Sequence, residues 1–134
     1  MNRSLTRLVW ERAGGCCEYC RLPQAYSDLP YQIDHVIAEQ HGGRTVRANL
    51  ALACLPDNKR KGPNLSGIDP VTGKLVPLFH PRRQRWGRHF RWRGPYLVGR
   101  TQTGRATIRV LAINAPDRVD LRRCLIAEGV FPPP

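Results

Sequence analysis

Cys17-Glu-Tyr-Cys20 sets two thiols one tight turn apart, and Cys54 supplies a third further along the chain. The five cysteines are an odd number, so they cannot all pair. In a reducing compartment a C-x2-C turn with a distant partner points to metal ligands rather than disulfides. The constraint matters because 134 residues make one compact domain with a modest core, and a domain of that size gains from a metal or a partner.

Charge narrows the partner. Twenty-two Lys and Arg stand against ten Asp and Glu, a formal net charge of +12, which favours a polyanion, nucleic acid first among them. No apolar run is long enough for a bilayer span, and no signal-peptide pattern opens the chain. The expectation is a cytoplasmic protein with no membrane partner.

Residues 4–14 predict an amphipathic helix, with Leu5, Leu8 and Val9 on one face, Ser4 as cap and Gly14-Gly15 as stop. Residues 32–37 predict a strand around Asp34-His35, and Asn49 to Ala53 a second strand of the same hairpin. Asn58 to Lys61 predicts the start of a short helix ended by Gly62-Pro63. Residues 63–95, rich in Pro, Gly and Arg, show no period and predict irregular structure. Tyr96–Arg100 and Thr107–Ile113 predict a hairpin joined through Gly104. Pro116 to Glu128 predicts a helix with Leu121, Leu125 and Ile126 inward, followed by an extended tail.

The residues that carry chemistry are Asp34-His35, Asn49 and Asn58, framed by Cys17, Cys20 and Cys54. With Ile33-Asp34-His35-Val36, Gly42-Gly43, Asn49-Leu50 and Asn58-Lys-Arg-Lys61 in that order, residues 10–65 resemble the HNH endonuclease family. The resemblance implies a ββα-metal finger at about 30–62, which with the N-terminal helix and the β-hairpin plus helix predicted above in the basic extension over 63–134 makes the expected fold α+β. It implies hydrolysis of DNA phosphodiester bonds with Mg2+ or another divalent ion (Mn2+, Ni2+ or Zn2+), leaving 5′-phosphate and 3′-hydroxyl ends. Such hydrolysis needs an activated water and a cation near the phosphate. A neutral imidazole can take the water's proton at pH 7, the role implied for His35. Asp34 and Asn58 offer the oxygen ligands that a hard divalent ion prefers. Asn49 matches the family's central Asn, which ties down the loop between the strands and orients the His without binding metal. Lys59, Arg60 and Lys61 are placed to contact phosphates beside the cut.

The sequence departs from the family at the second knuckle. Many HNH proteins carry two C-x2-C turns around a structural zinc, whereas the second turn here reads Cys54-Leu-Pro-Asp57. Zinc accepts carboxylate oxygen, though four thiolates are commoner. Three readings stand open: Asp57 is the fourth ligand, Cys16 or His41 replaces it, or the site is empty and the cysteines are small buried residues.

Between Pro70 and Pro116 there is no Asp or Glu, and the span holds Lys74 and nine arginines. Arg82, Arg83, Arg85 and Arg88 suit a DNA backbone by bidentate hydrogen bonding. Phe90 and Trp92 alternate with Arg91 and Arg93, the pattern of a strand that buries its aromatic face. His80 is read as a structural hydrogen-bonding residue. Two rival functions remain at this stage: a non-catalytic zinc-containing nucleic-acid-binding module, and an RNA-cleaving HNH nuclease.

Overall fold

In the computed structural model, which describes residues 1–134, helix α1 (Arg3–Ala13) begins one residue before the predicted start. Its cap is Asn2, whose Oδ1 accepts the Leu5 N–H at 2.8 Å, rather than Ser4. Gly14 stops it in the left-handed region, at φ 62°. Val9 is fully buried and anchors the helix to the core.

The first cysteine turn follows. The Arg21 N–H bonds back to the Cys17 carbonyl at 2.9 Å, with Arg21 at φ 68°. The turn then docks on a strand edge: the Glu18 N–H donates to the Leu52 carbonyl at 2.9 Å, and the Leu52 N–H donates to the Glu18 carboxylate at 2.8 Å.

Strands β1 (Gln32–His35) and β2 (Leu50–Ala53) form an antiparallel hairpin, with Asp34 opposite Ala51 and His35 opposite Leu50. Both are shorter than predicted: a last bond from the Val36 N–H to the Asn49 carbonyl, 2.9 Å, ends the pairing where Arg47–Asn49 form a 3-10 turn before β2. All four residues of β2 are buried. Helix α2 (Leu55–Lys61) completes the ββα unit. It begins at Leu55, ahead of the predicted Asn58, because Pro56 fits a first turn where no partner for its nitrogen is needed.

Residues 63–95 are more regular than predicted. Strands β3 (Ser66–Ile68) and β4 (Leu75–Pro77) pair antiparallel. Their loop is organised by Asp69, which accepts from the Val71 N–H at 3.0 Å and the Thr72 hydroxyl at 2.9 Å, and which takes a two-pronged Arg105 guanidinium at 2.8 Å on each oxygen. Arg105 holds the Asp69 carboxyl well below the usual carboxylate range. A one-turn helix α3 (Trp86–His89) leads into β5 (Phe90–Arg93), which pairs with β6 (Tyr96–Gly99).

The predicted strand Thr107–Ile113 lies instead mostly in helix α4 (Gln102–Val110). The Thr101 hydroxyl accepts the Gly104 N–H at 3.0 Å and caps it, so Gly104 is a first-turn residue and not a hairpin tip. A Cβ at Gly104 would meet the His89 carbonyl oxygen at 2.1 Å, so only glycine allows α4 this close to the end of α3. Helix α5 (Pro116–Ala127) appears as predicted, but Val119, Arg122 and Leu125 face inward and Leu121 is exposed. One buried cluster runs from Val9 through the β1–β2 unit to Phe79, Phe90, Leu97, Leu111 and Ile113. No helix is long and apolar enough to cross a membrane.

Candidate active site and metal centre

The turn after β1 and helix α2 enclose an open depression lined by Ile33, Asp34, His35, Ala38, Glu39, Gln40, Asn58, Gly62 and Pro63. Three residues singled out by sequence, Asp34, His35 and Asn58, therefore share one surface. Strand alternation puts Asp34 and His35 on opposite faces of β1, so they meet different surroundings. His35 is partly exposed, and its Nε2 lies 2.9 Å from the Thr45 hydroxyl and 3.8 Å from Glu39. The Asn58 side-chain amide N–H donates to Gln32, which leaves its carbonyl oxygen free to bind.

Asn49 braces this surface. Its Oδ1 accepts the Ile37 N–H at 2.8 Å, and its Nδ2 donates to the Ile37 carbonyl at 2.9 Å and the Arg44 carbonyl at 3.0 Å. The amide thus pins the segment that leaves His35 to the far end of the loop. Gly43 must be glycine for the same reason, since a Cβ there would meet the Ile37 oxygen at 1.7 Å.

Asp34 is only 5 % exposed. Its Oδ2 takes the Tyr19 hydroxyl at 2.7 Å and the Lys61 ammonium at 3.0 Å, while Oδ1 has only a longer contact to Lys61, 3.3 Å. Burial pushes the Asp34 carboxyl up, with Lys61 and the Tyr19 hydrogen bond opposing. Lys61 corrects the sequence reading. It was expected to reach phosphate, but it is 2 % exposed and its ammonium is spent on Asp34 and on the His35 and Val36 carbonyls, at 3.2 and 2.9 Å. Lys59 and Arg60 remain exposed. Arg82 is a second correction: its guanidinium pairs with the buried carboxylate of Glu18 and helps hold the cysteine turn. Arg83, Arg85 and Arg88 are exposed as expected, and Phe90 is core. His80 is structural here: its Nδ1 accepts the Arg82 N–H at 3.2 Å, and it does not line the Asp34 depression.

The second cluster is buried. Donor atoms of Cys17, Cys20, Cys54 and Asp57 all lie within 4.8 Å of one another. Cys16 and His41 do not join them. A tetrahedral zinc with Zn–S near 2.3 Å needs sulfurs about 3.8 Å apart. Cys20 and Cys54 have theirs at 3.7 Å, and the Cys17 sulfur is 3.2 Å from Asp57 Oδ2. Hydrogen bonds from Cys17 and Cys54 pull Cys20 well below the ordinary thiol range. Burial, with Cys20 adding to it, pushes Asp57 up to about 7 against the pull of Arg118. The donor set, its spacing and its seclusion fit a structural zinc.

This arrangement of hairpin, helix and paired turns meets a family description directly. Residues 17–64 match the HNH endonuclease family. The HNH segment begins at Cys17 and ends just past α2, so it takes in both cysteine turns and all four of Asp34, His35, Asn49 and Asn58. No curated protein and no solved structure matches the chain. The residues that sequence reasoning missed are Tyr19, Lys61 and Arg118, all of which act on buried carboxylates. The spacing of Asp57 and Lys61, four apart on α2, was the available clue that Lys61 faces inward.

Proposed function

We propose that the protein is a metal-dependent HNH endonuclease that hydrolyses DNA. The observation that carries this reading is the convergence of Asp34, His35 and Asn58 on one open depression, braced by Asn49 behind it. His35 Nε2 would accept the proton of the attacking water, with Thr45 and Glu39 as its present neighbours. Asp34 and Asn58 would hold a divalent ion, which when bound supplies charge stabilisation at the phosphate and the leaving oxygen. Lys59 and Arg60, at the exposed end of α2, would steady the flanking phosphates. Cys17, Cys20, Cys54 and Asp57 would hold a zinc that fixes the finger without taking part in the cut. The chain would act as one HNH domain over 1–134, since its core runs from α1 into the basic extension.

The direct test incubates purified protein with supercoiled plasmid in Mg2+, Mn2+ or EDTA. Nicked or linear product with either ion and none with EDTA is the expected result. One feature favours a second reading, a non-catalytic zinc-bearing nucleic-acid binder: the Asp34 carboxylate is already neutralised by Lys61. Intact plasmid under every metal condition, with duplex binding retained, would establish that alternative. RNA in place of plasmid checks the third class of substrate.

The exposed arginines should supply affinity that is blind to sequence. Arg83→Ala with Arg85→Ala should weaken duplex binding alike for unrelated sequences. Each lost phosphate contact should flatten the salt dependence by roughly one unit of slope. Ca2+ in the titration prevents cutting. An unchanged slope would move the DNA-binding surface elsewhere on the molecule.

A further inference from the structure

We propose that Arg118 is the counter-charge of the Cys17/Cys20/Cys54/Asp57 centre, and that metal loading and the seating of helix α5 are coupled through it. The inference rests on the zinc reading given above. Three thiolates and one carboxylate around a divalent ion leave a net of about two negative charges, and such charge is costly when buried unless a cation meets it. Cys17 and Asp57 have no exposed surface, and Cys20 and Cys54 almost none. The cation that reaches them comes from outside the HNH segment. Arg118 Nη2, on the first turn of α5, lies 2.8 Å from Asp57 Oδ1 and 3.9 Å from the Cys54 sulfur.

The neighbouring arginine on the same face does not share the task. Arg122 gives its donors to the Pro95 and Ile113 carbonyls and to Asn114, and its guanidinium lies 5.3 Å from the Trp92 ring centre. Arg118 has two attachments. Its Nη1 holds the Leu111 and Ala112 carbonyls at 3.0 and 3.3 Å, in the turn between α4 and α5. Ala112 sits there at φ 49°, a left-handed backbone that a residue with a Cβ holds only under constraint. One guanidinium thus ties the centre to a strained turn and to α5.

Aspartate at position 57 makes the arrangement chemically coherent. A carboxylate has two oxygens: Oδ2 faces the Cys17 sulfur at 3.2 Å and Oδ1 faces Arg118. A thiolate would meet metal and guanidinium through one and the same sulfur, whereas the carboxylate gives each its own oxygen. Coupling is reciprocal, so whatever Arg118 adds to metal affinity the metal adds to the docking of α5.

The experiment uses the full chain. Zinc content is measured first, then zinc affinity by competition with a chromophoric chelator for wild type, Arg118→Gln, Asp57→Cys and the double variant. Hydrogen exchange over residues 116–127 is followed in wild type with and without zinc. Arg118→Gln should weaken zinc binding about 10- to 100-fold, as loss of a partner that orients a ligand commonly does. In the Asp57→Cys background the charge of the centre is unchanged and Arg118 still faces the Cys54 sulfur, so the same change should again weaken zinc binding, by a smaller factor because the direct Asp57 contact is gone. Zinc removal from wild type should speed exchange in α5. A folded Arg118→Gln with wild-type zinc affinity would overturn the proposal, and so would α5 protection that ignores zinc. The exchange measurement needs no variant, so it stands even where Arg118→Gln fails to fold. Wild-type protein that holds no zinc would overturn the zinc reading itself, an outcome distinct from failure of the Arg118 link alone.

Discussion

His35→Ala should lower plasmid cleavage by about 10²- to 10⁴-fold, the range that follows removal of a positioned general base. The side chain is partly exposed, and its contacts, Thr45 and Glu39, are on the surface loop that it faces. Its loss therefore opens no cavity and leaves no buried group unpaired, so stability should move by only about 0.5 kcal/mol. Duplex binding and metal binding should persist, because Asp34, Asn58 and the exposed arginines are untouched. Added imidazole separates a proton acceptor from a merely structural role, since it can restore the first and not the second. Wild-type cleavage in His35→Ala would remove the assignment. A loss of cleavage accompanied by loss of fold would locate the role of His35 in structure instead.

Lys61→Met should be the most destabilising single change in the finger. The ammonium is held by Asp34 and by the carbonyls of His35 and Val36, and almost none of it meets water. Removing one partner of a buried ion pair leaves the other charge stranded, at a cost of about 3–5 kcal/mol. A domain of this size has only about 5–15 kcal/mol in total. The paired change Asp34→Asn with Lys61→Met should recover much of the loss, because no net charge is then left inside. Cleavage should stay absent in the double variant, since the carboxylate that would hold the divalent ion has gone. Denaturant midpoints of wild type, Lys61→Met and the double variant, read beside plasmid cleavage, give both answers. Equal stability of Lys61→Met and wild type would show that Asp34 is solvated by some other route.

These outcomes bear on what could be read from the sequence. The loop-tying role of Asn49 was legible only through the HNH resemblance, and the structure supplies its physical basis, an amide that donates to and accepts from Ile37. Asp34, His35 and Asn58 were grouped through the HNH resemblance, and one hairpin and one short helix bring them to one depression. Lys61 was not, since it ends a basic run, Lys59 to Lys61, that looks like a solvated face. Helical rotation turns only the last of the three inward. Thr107–Ile113 was misread because its β-branched residues suggest a strand, while the competing cue lay outside it, in Thr101 as a cap. Arg118 and Arg122 were invisible as inward residues, because arginine on a helix normally marks the outer face. What pulls them in is a buried carboxylate and the carbonyls of the preceding turn, for Arg118, and the Pro95 and Ile113 carbonyls, for Arg122.

Strand β2 invites a different question, that of misassembly. Leu50-Ala-Leu-Ala53 is uncharged, apolar and extended, the kind of segment that recruits a copy of itself when its free side is open. β1 covers one side. The other side is closed by Glu18, which supplies both a backbone N–H and a carboxylate to Leu52, and by Arg12, whose guanidinium meets the Leu50 carbonyl. Glu18 is in turn held by Arg82, from the basic extension. The extension thus reaches this edge only through Arg82, and a version of this chain trimmed after α2 should loosen Glu18 and expose more of the β2 edge while keeping Asp34, His35, Asn49 and Asn58.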